Sequence, residues 1–116
     1  MAEVFFFEEG CEPRPKEAVR IEELKAEPYA DGHRVRITIT LTAFVERPNL
    51  RIVVTNSAGD PVASSDVLEL ISPRNELTLH VRGPQPEGKY TVRAELYYDE
   101  PELLETKEAV FSMLVQ

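Results

Sequence analysis

A chain of 116 residues matches one domain of ordinary size, and its 42% hydrophobic content is that of a globular protein rather than a disordered one. Folding at this length buries somewhat more than ~60% of the unfolded surface, so neither a metal nor a disulfide is required for a core. With 21 Asp and Glu against 13 Lys and Arg, the net charge is −8, and such a surface repels nucleic acid and anionic lipid, so neither is expected as a partner.

The first notable feature is Val4-Phe5-Phe6-Phe7, the longest uninterrupted apolar run in the chain. Leaving three phenylalanines in water is costly, since burying each stabilises by roughly 1.5–3 kcal/mol. Four arrangements remain open: an extra edge strand on the same domain, a segment packed across one of its sheets, a strand added to another subunit, or disorder. Glu8 and Glu9 follow directly, and the start has neither the basic flank nor the longer apolar stretch of a secretory signal. No run is long enough to span a bilayer. As written, the protein reads as cytoplasmic, with an extracellular location open if a leader has been removed. Cys11, the single cysteine, has no internal disulfide partner, and no CxxC or His/Cys metal spacing accompanies it. No cofactor is expected. Glu12-Pro13-Arg14-Pro15 acts as a Pro-rich spacer, which divides the chain into a segment 1–16 and a domain 17–116.

From there the pattern is one of strands. Val19 and Ile21 begin a strand that slips register at Glu22-Glu23, after which Leu24 and Ala26 carry its inner face. Between His33 and Phe44, Val35, Ile37, Ile39, Leu41 and Ala43 alternate with Arg34, Arg36, Thr38, Thr40 and Thr42, the mark of a half-buried strand. The threonine face is expected to be a solvated sheet surface. Leu50, Ile52 and Val54 repeat the alternation, a shorter strand is predicted over Val67–Ile71, and Leu77, Leu79 and Val81 form another. Tyr90, Val92, Ala94, Leu96 and Tyr98 give a long strand, and Ala109, Phe111, Met113 and Val115 an inward row near the end. A short helical turn is allowed within Glu100–Lys107. Turn-forming clusters separate the strands: Asp31-Gly32, Asn56 to Pro61, Ser72 to Asn75 and Gly83 to Gly88. Strands joined by turns, with no helical period between them, predict an all-β antiparallel two-sheet sandwich of about seven strands, with a possible extra N-terminal strand.

Glu87-Gly88-Lys89-Tyr90-Thr91-Val92-Arg93-Ala94 resembles the sixth strand of immunoglobulin-like and fibronectin type III-like domains, where a glycine turn leads to a tyrosine and then to alternating small or branched residues. Tyr90 is similar to the tyrosine-corner residue, and the resemblance implies a hydroxyl bonded to upstream backbone. Val92 stands where an antibody-type domain carries its second disulfide cysteine, and the chain has no tryptophan. The resemblance therefore concerns architecture alone and implies no function.

Catalytic chemistry finds no constellation. His33 and His80 are far apart in sequence, no serine lies in a GxSxG context, and Cys11 has no evident base to form its thiolate. A non-catalytic role is expected. In an alternating sandwich the first, third and fifth connections share one end, which gathers Asp31, Asp60 and Glu87 as weak oxygen donors for calcium. The opposite end gathers Glu46-Arg47-Pro48-Asn49, Ser72-Pro73-Arg74-Asn75 and Tyr97-Tyr98-Asp99-Glu100. Rigid aromatics and arginines are common anchors of recognition surfaces, so Tyr97, Tyr98, Arg47 and Arg74 are candidate partner-binding residues, as are Phe5, Phe6 and Phe7 through strand exchange. The expected role is a protein-interaction or structural module, or self-association through the N-terminal strand. The alternative is a small-ligand, carbohydrate or calcium-binding accessory domain.

Overall fold

The computed structural model describes residues 13–31, 33–81, 88–99 and 103–113. It forms a sandwich of two antiparallel sheets. One holds β1 (Ile21–Pro28), β2 (Arg34–Leu41) and β5 (Arg74–His80) in the order β1-β2-β5. The other holds β3 (Asn49–Thr55), β4 (Pro61–Val67), β6 (Gly88–Tyr97) and β7 (Leu103–Met113) in the order β4-β3-β6-β7. All strand pairs are antiparallel. The run Val4–Phe7, and with it the possible extra strand, lies outside the described residues, as do Cys11 and Glu87.

Alternation builds the core. Val35, Ile37 and Ile39 of β2 face Leu50, Ile52 and Val54 of β3 and Val92, Ala94 and Leu96 of β6, all fully buried. Tyr90 stacks on Phe111 across β6 and β7, with ring centroids 5.5 Å apart and an interplanar angle of 17°. Tyr90 is buried at the start of β6. The upstream backbone that a tyrosine-corner hydroxyl would contact lies outside the described residues.

The register slip in β1 occurs where the sequence placed it, between Ile21 and Glu23, and Leu24 and Ala26 then pack against the core. Here the two sheets meet at their edges: the backbone N–H of Ile21 donates to the carboxylate of Glu105 on β7.

Four expectations need correction. The fourth strand is Pro61–Val67, not Val67–Ile71. It pairs from Val67↔Leu50 to Pro61↔Thr55, closing a hairpin whose turn is held by Asn56. Residues 68–71 instead form an irregular crossing in which Leu70 alone turns inward, its N–H donating to the Pro48 carbonyl at 2.9 Å. The last strand begins at Leu103, so residues 103–107 are extended rather than helical. Its opening residues do not alternate in the usual way because Glu105, opposite core residue Leu96, sits on the inner side of an edge strand. Inward-pointing charge at such a position hinders edge-to-edge pairing with other chains.

The threonine face of β2 is not simply wet. Thr38 is 4% exposed, with the longer Lys25 and Glu76 as its cross-strand neighbours on either side. The Thr40 hydroxyl oxygen is buried without a hydrogen-bond partner among the described residues. Finally, the regular pairing of β2 stops at Leu41. Beyond it Phe44 makes a parallel bridge to Arg14, with Arg14 N–H donating to Ala43 O (2.8 Å) and Val45 N–H to Arg14 O (3.3 Å).

Candidate functional site

Sheet pairing brings the β2–β3, β4–β5 and β6–β7 connections to one end. Asn49, the first residue of β3, ties them together. Its amide nitrogen donates to the Tyr98 carbonyl (2.9 Å), and its amide oxygen accepts the Glu69 N–H (2.8 Å). Glu69 adopts a positive φ of 53°, uncommon for a residue with a side chain. Pro48 beside Asn49 is fully buried. The Tyr98 hydroxyl donates to the Glu46 carbonyl at 2.8 Å, closing the β6 end onto the β2–β3 loop.

Two adjoining clefts open around Tyr98. One, of about 330 Å³, lies between Lys16, Glu17, Asp99 and the start of β7 at Leu103 and Leu104. The other, of about 430 Å³, lies between Glu46, Arg47, Asn49 and Glu69 and shares Lys16, Tyr98 and Asp99 with the first. Acidic side chains dominate their walls: Glu17, Glu46, Glu69 and Asp99 against Lys16 and Arg47. Tyr98 registers that field. Burial, reinforced by the negative charges of Glu46 and Glu17, pushes its phenol up to about 12.

The sequence-predicted residues divide. Tyr98 and Arg47 both line the second cleft. Tyr97 does not join them: strand alternation turns it to the outer face of the four-stranded sheet, where it is 5% exposed beneath Arg51. The Arg51 guanidinium carbon is 5.7 Å from the ring centroid, and the same side chain pairs with Asp66 at 2.9 Å. Arg74 is likewise absent from the clefts. It is the first residue of β5, opposite Thr40, and its guanidinium lies 3.9 Å from Glu76. The predicted turn ends earlier, with the Ser72 hydroxyl and carbonyl bonded to Arg74 and Asn75. Phe5, Phe6 and Phe7 lie outside the described residues. Lys16, Glu17 and Glu69 were missed by sequence reasoning. Lys16 and Glu17 sit in a 3-10 turn (Lys16–Ala18) ahead of β1, and nothing in the sequence signals that this turn passes beside Tyr98.

The opposite end shows local turn chemistry. The Asp31 carboxylate accepts from the His33 and Arg34 backbone N–H groups and from Arg34 Nε at 2.7 Å, which holds its carboxyl below the usual range, the His33 bond contributing most. Arg34 also lies over the Tyr29 ring, 4.3 Å from its centroid. Asp60 closes the Asn56–Asp60 turn through its backbone. Among the described residues no three His, Cys, Asp or Glu side chains are grouped to hold a metal ion. His33 and His80 are closer in space than in sequence: the His33 carbonyl accepts the N–H of Val81, the residue after His80.

No protein-family model matches the sequence, and no curated protein does. Solved structures do share the fold. A glycosyl hydrolase family 2 member from Bacteroides cellulosilyticus matches with a TM-score of 0.62 at 17% identity, covering 82% of this chain and 15% of that one. A family 76 glycoside hydrolase from a bovine Bacteroides thetaiotaomicron strain matches at 0.64 and 16%, covering 80% of this chain and 20% of that one. The β-glucuronidase of Parabacteroides merdae matches at 0.60 and 16%, covering 81% and 14% respectively. This chain therefore spans at most a fifth of the length of these neighbours, and the likeness is one of fold: a β-sandwich of the kind found as one part of much larger chains.

Proposed function

We propose that this chain is a non-catalytic accessory module of the immunoglobulin-like and fibronectin III-like type, which holds a protein partner through the acidic clefts around Tyr98. The observation that carries this reading is the hydrogen-bonded frame that fixes those clefts. Asn49, Tyr98, Glu46 and Glu69 join three separate connections of the sandwich. Acids outnumber cations in the walls, so the complementary partner presents a basic segment. The three-plus-four partition, with β4 beside β3 and not beside β5, supports the fibronectin-like form of the sandwich over the antibody constant-domain form. Matches confined to a fifth or less of each neighbour support the accessory role.

The test is capture of partners by the intact chain and by a Glu46→Lys/Asp99→Lys variant of matched stability. A partner whose retention falls with the charge reversal, and with rising salt, supports the reading. Partners retained equally by both proteins overturn it.

The second reading, a carbohydrate-binding accessory domain, is favoured by one observation: the solved neighbours are glycoside hydrolases. Binding on a glycan array, lost in the same variant, would establish it in place of the first.

A further inference from the structure

We propose that two copies of this chain pair antiparallel along the free edge of β5, joining their three-stranded sheets into one continuous sheet. This goes beyond the partner reading, because it concerns a sheet edge and not the acidic clefts.

Among the described residues the edge strands are β1 and β5 in one sheet, β4 and β7 in the other. Exposed edges are normally blunted by bulges, prolines or inward charge, because their unpaired N–H and C=O groups invite another strand. Three of these edges show such devices. β1 slips register between Ile21 and Glu23, and its first residue is bonded to Glu105 of β7. β4 opens on Pro61 beside a register shift, and β7 carries a shift of its own together with that inward Glu105. β5 has none of them: Arg74 to His80 include no proline, and all 7 residues pair with β2 in unbroken register.

The same ladder fixes which way the backbone groups of β5 point. Val81 N–H donates to His33 O at 2.7 Å, and Leu41 N–H donates to Pro73 O at 2.7 Å. Both contacts continue the β2–β5 register, so the hydrogen-bonded positions of β5 are its odd-numbered residues. The N–H and C=O groups of Glu76, Thr78 and His80 therefore face away from β2, toward the free edge. Their side chains are exposed, whereas Leu77 and Leu79 pack against the core and are only half buried.

The occupant follows from the strand's own sequence, which complements itself. With Thr78 opposite Thr78 of the second copy, Glu76 meets His80, acid against imidazole, and Leu77 meets Leu79, apolar against apolar. Other registers lose this match. An axis at Leu77 sets Arg74 against His80 and Asn75 against Leu79, and an axis at Glu76 sets that carboxylate against itself. Pairing about Thr78 is isologous, so it closes as a dimer and does not grow into a fibre. It also carries the two β4–β5 crossings, residues 68–73, to opposite ends of the joint strand pair.

The test is sedimentation equilibrium of the full chain from micromolar to millimolar concentration, beside Thr78→Lys and Thr78→Glu, each checked for native circular dichroism. Thr78 is exposed, and its hydroxyl lies 3.2 Å from that of Tyr29, a surface contact that both variants lose alike. The proposal expects a concentration-dependent dimer from the native chain and monomer from either variant alone. Mixing the two variants should restore the dimer, because the introduced lysine and glutamate then face each other across the axis. A native chain that stays monomeric throughout overturns the proposal. So do variants that each dimerise like the native chain, which places the contact elsewhere, and a mixture that stays monomeric, which rejects pairing about Thr78.

Discussion

The backbone N–H of Ile21 donates to the Glu105 carboxylate, so one edge strand of each sheet is joined by a single charged acceptor at a register slip. Removing that acceptor leaves a half-buried donor unpaired, a loss of ~1–3 kcal/mol. Glu105→Ala should lower the urea midpoint accordingly, while Glu105→Gln, which keeps an acceptor oxygen, should lose less. Equal losses in the two variants would show that packing, and not this bond, matters at the seam.

Thr40 offers the opposite case. Its hydroxyl oxygen is buried on the central strand of the three-stranded sheet and has no partner among the described residues. Thr40→Val keeps the shape and the β-branch while removing a desolvated polar atom, so a gain of about 1 kcal/mol is expected from chemical denaturation. A loss would mean that the hydroxyl contributes to the native sheet.

Asn49→Ala should cost about 1–3 kcal/mol, because one side chain supplies two hydrogen bonds that fasten separate connections. Asn49→Asp keeps the acceptor for Glu69 and loses the donor to the Tyr98 carbonyl, so it should loosen the Tyr98 side selectively. Amide exchange in loops 68–73 and 98–99, measured for both variants, separates the two bonds.

Alkaline stability should carry a signature of Tyr98. Its folded pKa is raised to about 12, above the value near 10 of an unfolded tyrosine. The folded state therefore holds the proton more tightly, and the stabilisation is fully present below pH 10 and lost as pH rises from there through about 12. Tyr98→Phe should flatten that part of the stability–pH curve while lowering stability at neutral pH by about 0.5–1.5 kcal/mol through loss of the bond to Glu46. An unchanged alkaline slope would place the titration elsewhere, with Tyr90, also raised by burial, as the next group to test.

At the other end the sign reverses. Asp31 has a lowered pKa, so its contribution is present above the ordinary value of 3.8 and lost as pH falls below it. The His33 and Arg34 amide resonances should shift together in that acidic window, and Asp31→Asn should remove the transition. A shift near an ordinary carboxylate value would show that the turn does not hold the charged form.

Sequence pattern carried the sandwich because the apolar residues of its central strands recur with period two, Val35 through Leu41 and Leu50 through Val54 being the clearest, while Thr38 and Tyr97 are buried on the outer faces. It failed where sheet edges replace that grammar. β4 is an edge strand built on Ala63, Ser64, Ser65 and Asp66, so its apolar signal is weaker than that of the crossing beyond it, whose Leu68 and Ile71 point outward. β7 opens with Glu105 facing inward, which hides the strand. For the site, alternation along β6 already separates Tyr97 from Tyr98. What it does not carry is the distant cover over Tyr97, Arg51 from the neighbouring strand, or the turn at Lys16 that completes the clefts.

The most direct test of the account is hydrogen–deuterium exchange on the complex of the intact chain with a captured partner. Partner-dependent protection in residues 42–48, 68–73 and 98–99 is the predicted result. Protection confined to the Asp31 and Asp60 turns, or to the outer face of the β1-β2-β5 sheet, would contradict a binding end built around Tyr98.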